Sequence, residues 1–284
     1  MAAIVANGIR LEVERHGPPS ARPLVLIRGL GSQLIQWPDA MIDGFVAAGF
    51  HVVAFDNRDA GLSQNCADRA PYSLRDMAED TVGLMDALAI DRAHVLGMSM
   101  GGMILQLIAL HHPARLLSAT IVMSSSRADG LPQAEPEVQE LLRSVPPSRQ
   151  RDDVIAHELE AARAFQSPRW PFDSARRATL IGRAYDRCYS PDGASRQYEA
   201  MMAAASDLAG IEAIDTPTLV VHGTQDRLLP PAHGRDIAAR IPGAEMVEIH
   251  GMGHDLEGAV PSLIVNIVNR FVERITMPPC MPAK

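Results

Sequence analysis

Three residues of the types needed for nucleophilic catalysis occur along the chain in the order Ser99, Asp226, His254. A serine hydroxyl is a poor nucleophile near neutral pH, so it needs a base to accept its proton and an acid to orient that base. Ser99 lies in the G-x-S-x-G sequence of residues 97–101, which is typical of a sharp turn from a strand into a helix. The order serine, acid, histidine is the one that accompanies this turn. The pattern predicts acyl transfer through a covalent intermediate.

Each of the three residues follows a short apolar run of the kind that forms a buried strand. The runs are residues 93–98 before Ser99, 218–222 before Asp226, and 244–249 before His254. Parallel strands end at one edge of a sheet, where loops can bring residues from distant parts of the chain together. We therefore expect the three side chains to converge at that edge.

Simpler roles remain open for the same residues. Ser99 can serve only as a helix cap, and Asp226 can start an Asx turn. Asp129, which follows an earlier strand, is the competing acid. His250 and His254 are four residues apart, as in a metal pair, but the two glycines between them oppose a helix and no third ligand is evident. We expect neither a metal nor an organic cofactor.

The negative charge that develops during acyl transfer needs hydrogen-bond donors. The backbone N–H of Met100 is one candidate, because it lies at the start of the helix that follows Ser99. The second candidate is the N–H of Leu30, in the loop RGLGS of residues 28–32, where glycines allow close approach. An ordinary glycine-rich turn is the alternative for this loop.

Strand-like and helix-like segments alternate through the first 124 residues and again after residue 209. This order predicts a parallel sheet wrapped by helices. Asn7-Gly8 predicts a hairpin over residues 3–16, and Ser73 with Asp76 predicts a capped helix. Residues 125–209 lack strand-like runs and contain four helical pieces, so they predict a helical insertion. The C-terminal Met-Pro-Pro-Cys-Met-Pro predicts a frayed tail.

Composition limits the compartment and the class of partner. The 26 basic and 34 acidic residues give a net charge of −8, and the basic residues are scattered, which argues against nucleic acid or an anionic membrane as partner. Three widely spaced cysteines suggest no disulfide framework. We find no signal peptide and no apolar run long enough to cross a membrane, so we expect a cytoplasmic protein. Monomer and homodimer stay equally open.

The motifs RGLGS, FDNRDAGLS, GMSMGG, VHGTQDRLLP and GMGH, in this order, resemble those of α/β-hydrolase-fold serine hydrolases. Within this family the chain resembles the aclacinomycin methylesterase-like carboxylesterases. The resemblance implies an α/β-hydrolase fold with a mostly parallel eight-stranded sheet and a helical cap inserted after strand 6. Residues 1–124 and 210–284 would form the core domain, and residues 125–209 would form the cap or lid. Arg28 stands where many members have histidine; Asp56, Asp59 or solvent are its candidate partners.

We predict a carboxylesterase that hydrolyses small to medium esters through an acyl-enzyme. Carbon–carbon bond hydrolases and cofactor-free haloperoxidases share the serine, acid and histidine, and a ligand-binding receptor with little turnover is a more distant alternative. Pocket positions expected at the cap and oxyanion loop, each also compatible with ordinary packing, are Trp37, Leu131, Leu141, Phe165, Trp170 and Met201.

Overall fold

The N-terminal hairpin forms around a two-residue turn. Asn7 and Gly8 both have positive φ, of 49° and 71°, which is the backbone that a tight hairpin of this kind requires. In the computed structural model, which describes residues 2–276, this turn joins β1 (Ala2–Ala6) to β2 (Ile9–His16) as an antiparallel pair. The predicted hairpin is confirmed, while the tail predicted at the C-terminus lies outside the described residues.

Six further strands complete the sheet. They are β3 (Arg22–Ile27), β4 (Phe50–Phe55), β5 (Ala93–Met98), β6 (Leu116–Val122), β7 (Thr218–Gly223) and β8 (Glu245–Ile249). The order is β1-β2-β4-β3-β5-β6-β7-β8, with β2 antiparallel to both of its neighbours and the other pairs parallel. Every residue of β4, β5 and β7 is buried, as expected of strands covered on both faces. The predicted eight-stranded, mostly parallel sheet is confirmed.

Helices cover both faces of this sheet. In chain order they are α1 (Asp39–Ala47), α2 (Leu74–Ala87), α3 (Met100–His111), α4 (Pro136–Arg143), α5 (Arg151–Phe165), α6 (Ser174–Arg187), α7 (Pro191–Ala203), α8 (Ala232–Arg240) and α9 (Val260–Thr276). Side chains of α2, α3 and α8 form one apolar core with one sheet face, and those of α1 and α9 form a second core with the other. No helix among residues 2–276 is long and apolar enough to cross a membrane.

Helix α2 begins at the predicted capping box. The Asp76 amide donates to Ser73 Oγ at 3.3 Å, and the Ser73 amide donates to Asp76 Oδ2 at 2.8 Å. These bonds satisfy two backbone donors that a helix start would otherwise leave unpaired. The capped helix predicted from Ser73 and Asp76 is confirmed.

The four helices α4 to α7 lie between β6 and β7, and the described part of residues 125–209 contains no strand. This agrees with the four helical pieces expected there. Two ion pairs join these helices to the turn after β4. Arg187 Nη1 lies 2.7 Å from Asp56 Oδ2, and Arg196 Nη2 lies 2.6 Å from Asp59 Oδ1. Helices α6 and α7 are therefore joined directly to the turn after β4.

The turn after β4 is fixed by the same two carboxylates. Asp56 accepts the amides of Leu34 at 2.6 Å and Leu62 at 2.9 Å. Asp59 accepts the amide of Cys66 at 2.7 Å. Both carboxylates therefore fix this turn, and their bonds to α6 and α7 were not predicted from the sequence.

A histidine in the middle of the sheet makes stability depend on pH. His94 on β5 is 2% exposed, and its Nδ1 lies 2.8 Å from Ser118 Oγ on β6. Burial, with a smaller contribution from the charge of Arg22, lowers the pKa of His94 to about 4. An unfolded histidine has a pKa of about 6.5. Between these values the unfolded chain binds more protons, so stability falls as the pH falls through this window.

We therefore expect the free energy of unfolding to decrease from pH 7 to pH 4.5, and to decrease less in His94→Gln than in the wild type. Urea denaturation across this range measures the slope. His250→Gln, at an exposed histidine, is the matched control and should keep the wild-type slope. Equal slopes for His94→Gln and the wild type would contradict the assignment to His94.

Candidate active site

Ser99 sits on a strained turn between β5 and α3. Its φ of 55° and ψ of −121° are unusual for a residue with a side chain. A Cβ on Gly97 would lie 2.2 Å from the carbonyl oxygen of Gly101, and a Cβ on Gly101 would lie 2.2 Å from that of Ile27. Both glycines are therefore required by the close approach of backbone to backbone.

Hydrogen bonds hold the serine backbone in this conformation. The Ser99 amide donates to the carbonyl of Val122 at 2.9 Å, and Ser124 Oγ donates to the carbonyl of Ser99 at 2.7 Å. These hydrogen bonds to β6 and the residues after it stabilise the strained conformation of Ser99. The side chain of Ser99 stays partly accessible at the carboxyl edge of the sheet.

The three residues singled out from the sequence lie together at this edge. His254 Nε2 lies 3.1 Å from Ser99 Oγ, and His254 Nδ1 lies 2.7 Å from Asp226 Oδ2. The tautomer with its proton on Nδ1 satisfies both contacts, because it donates to the carboxylate and leaves Nε2 free to accept from the hydroxyl. The arrangement provides a proton path from hydroxyl to imidazole.

Asp226 also forms the Asx turn that was the competing interpretation. Its Oδ1 accepts the amides of Leu228 at 2.9 Å and Leu229 at 2.8 Å, while Oδ2 faces His254. The two interpretations are compatible because a carboxylate has two oxygens. The turn orients one of them so that the other meets the imidazole.

Two histidines keep this carboxylate ionised. Burial raises the pKa of Asp226, but electrostatic attraction and hydrogen bonds from His254 and His222 outweigh it and hold the pKa well below its ordinary value. His222 Nε2 lies 2.8 Å from the carbonyl oxygen of Leu229 and 3.4 Å from Asp226 Oδ2. The contact between His222 and Asp226 was not predicted from the sequence, although the two residues are only four positions apart.

Asp129, the alternative acid, and His250, the alternative metal ligand, both lie on the protein surface. His254 Nδ1 is already bonded to Asp226. The geometry therefore favours Asp226 over Asp129 as the partner of His254.

The loop carrying Leu30 passes close to the serine. A Cβ on Gly29 would lie 3.2 Å from the Cβ of Ser99, so glycine allows the approach. The amides of Leu30 and Met100 donate no hydrogen bond to any of residues 2–276. Gln197 on α7 accepts the next amide, that of Gly31, at 2.8 Å. The two candidate donors are thus left free beside Ser99.

The loop carrying His254 is held by the end of α5 and the residues that follow it. The His254 amide donates to the carbonyl of Phe165 at 2.8 Å, and the Gly253 amide donates to Ser167 Oγ at 2.8 Å. Ser167 in turn donates through its amide and hydroxyl to Asp255, at 2.7 and 2.6 Å. Sequence reasoning missed this network, because its two halves are 88 residues apart.

A cavity of about 230 Å³ lies beside the imidazole, lined in part by His254, Met98 and Trp37. Arg28 lines the same cavity, with its guanidinium 4.7 Å from the centre of the Trp37 ring. Asp56 and Asp59 were its candidate partners, but they pair with arginines of the helical insertion. Neither carboxylate is the counter-charge of Arg28.

The other five expected pocket residues are not among those that line the cavity beside His254. Leu141 lines a separate cavity of about 740 Å³ formed by residues of α4, α5 and the segment between them. Trp170 packs against the core of α1 and α9, and Met201 against that of α2 and α3. Phe165 contributes its carbonyl to the His254 loop, and Leu131 is partly buried in the segment after β6. Their role in substrate binding stays a prediction.

The chain is similar to known proteins in both sequence and structure. Residues 22–256 match the family model described as alpha/beta hydrolase fold. Rhodomycin D methylesterase DnrP of Streptomyces peucetius is 31% identical, over 90% of this chain and 93% of its own length. A putative carbamate hydrolase, RutD of Caulobacter segnis, is 29% identical over 96% and 99%.

The fold is also similar to that of a solved structure. The enol-lactonase from Burkholderia xenovorans LB400 superposes with a TM-score of 0.77 and 26% identity, covering 96% of this chain and all of that one. The family match spans the sheet from β3 to β8 and includes Ser99, Asp226 and His254. The chain belongs to the α/β-hydrolase fold family.

Proposed function

We propose that this protein is a serine-dependent carboxylesterase acting on small to medium esters. Ser99 Oγ attacks the ester carbonyl while His254 accepts the serine proton, and His254 then donates it to the leaving alcohol. Asp226 holds the imidazole, and the amides of Leu30 and Met100 stabilise the oxyanion. Water activated by His254 then releases the acid and restores Ser99.

The observation that carries the proposal is the continuous set of contacts from Ser99 Oγ through His254 to Asp226, at 3.1 and 2.7 Å. Such contacts make an otherwise weak hydroxyl nucleophilic. Two similar proteins support ester chemistry. One is named as a methylesterase and the other as an enol-lactonase, and a lactone is a cyclic ester.

Residues 125–209 act in this proposal as a lid over a core formed by residues 1–124 and 210–284. The ion pairs of Arg187 and Arg196 and the bonds from Phe165 and Ser167 attach the lid on two sides of the site. A lid of this kind excludes water and shapes the substrate pocket.

A panel of p-nitrophenyl esters of increasing acyl length tests the proposed activity. We expect wild-type turnover with a kcat/KM of about 10⁴ M⁻¹s⁻¹ or more for the best ester, a usual value for an enzyme on a good substrate. The same preparation is assayed with a ring-cleavage diketone and for peroxide-dependent bromination. Faster turnover of either than of every ester would reject the esterase in favour of that activity, and no turnover of any would favour a binding protein.

A further inference from the structure

Arg28 is a buried cation at the carboxyl end of β3. The residue is 6% exposed. Its Nε has no hydrogen-bond partner among residues 2–276, and Nη1 reaches only the sulfur of Met98 at 3.5 Å. The Trp37 ring covers one face of the guanidinium. The hydrogen-bonding capacity of this group is thus largely unused.

The charge of Arg28 is also unpaired. Within residues 2–276 no carboxylate oxygen lies within 4 Å of its guanidinium. By contrast, the buried Arg58 bonds Asp80 through two nitrogens, each at 2.6 Å. Burial, with the like charge of Arg177, lowers the pKa of Arg28 to about 9, so the group stays charged at neutral pH. A buried, unpaired charge costs stability, and an anionic ligand would offset that cost.

The cavity that Arg28 lines is rich in further positive charge. Arg176, Arg177 and Arg183 of α6 line it with Arg28, against the three acidic residues Asp39, Asp255 and Glu257. Glu257 lies 3.3 Å from Arg177, so these two charges cancel within the cavity, and Asp255 accepts both bonds from Ser167. Three arginines then face two aspartates. The remaining positive charge favours an anion, although the chain as a whole carries −8.

We propose that Arg28 binds a carboxylate group of the substrate, so that the preferred substrates are half-esters of dicarboxylic acids. A guanidinium offers two parallel donors that match a carboxylate, which would pair both the charge and the unused nitrogens. His254 lines the same cavity, so an anion there lies next to the group that moves the proton. This inference rests on the proposed esterase function.

Monomethyl adipate and dimethyl adipate test the proposal, because they present the same ester with and without the second charge. We expect wild-type kcat/KM to favour the monomethyl ester by about tenfold or more, as for a charge-assisted hydrogen bond. Arg28→Met should reduce the ratio of the two values by about 10- to 100-fold. Arg28→Lys keeps the positive charge but loses the two parallel guanidinium donors, so it should give an intermediate ratio of the two kcat/KM values. Arg143→Met, which removes an exposed arginine of α4, should keep the wild-type ratio.

Equal wild-type rates for the two esters, or an unchanged ratio in both Arg28 variants, would overturn the proposal while leaving the esterase intact. Thermal unfolding with and without millimolar adipate separates the two hypotheses, because a ligand of the folded state raises Tm. We expect adipate to raise the Tm of Ser99→Ala and not that of Ser99→Ala with Arg28→Met. If neither ester is turned over, that shift alone supports anion binding, and its absence rejects it.

Discussion

Ser99→Ala is expected to lower kcat/KM about 10⁵-fold for every ester that the wild type hydrolyses, a loss typical of removing a serine nucleophile. The variant loses the only atom that can form the acyl-enzyme in the proposed mechanism. Initial rates on the best p-nitrophenyl ester, with the uncatalysed rate subtracted, measure the loss. Tm should stay close to the wild-type value, because the hydroxyl of Ser99 makes no contact that the fold depends on.

Ser195→Ala is the matched control, since Ser195 is exposed on α7; it should retain wild-type rates. A phosphonate ester that labels active serines should add its mass to Ser99 in the wild type and not in Ser99→Ala. Turnover retained by Ser99→Ala would contradict the role of this serine and require another nucleophile.

Asp226→Asn is expected to lower kcat about 10⁴-fold, the size of loss seen when the acid of such a triad becomes an amide. The amide can donate to Nδ1 and so favours the tautomer whose Nε2 carries the proton and cannot accept from Ser99. KM should change little, because Asp226 is buried behind the imidazole. Steady-state kinetics on one ester separate the two constants.

Asp129→Asn is the control for that variant, because the same change is made at the exposed acid that sequence reasoning held as the alternative. It should leave kcat within about twofold of the wild type, as for most surface substitutions. A loss confined to Asp129→Asn would mean that the wrong carboxylate has been assigned.

The sheet and its helices could be predicted because their signals are local. The capping box of Ser73 and Asp76, the Asn7-Gly8 turn and the buried runs that become β4 and β5 are each encoded within a few residues. The convergence of Ser99, Asp226 and His254 was also predictable, since parallel strands must end at one edge.

The partners of charged side chains were beyond sequence reasoning. Asp56 and Asp59 were equally plausible partners for Arg28, yet they bond Arg187 and Arg196, 131 and 137 residues further along the chain. These pairs depend on how helices α6 and α7 pack against the sheet. The spacing of apolar residues in the sequence does not predict that packing. The pocket residues were uncertain for the same reason: Trp37 lies beside the docked helices, whereas Leu141 faces a cavity at another place.

The bonds from Phe165 and Ser167 to the loop of His254 have a consequence for how such enzymes diversify. The proton-accepting residue is partly anchored by a segment outside the core that carries the nucleophile. Replacing residues 125–209 with the corresponding segment of another protein should therefore fail unless the stretch after α5 and Asp255 are exchanged together. In evolution and in protein engineering alike, these two distant segments are therefore expected to change together.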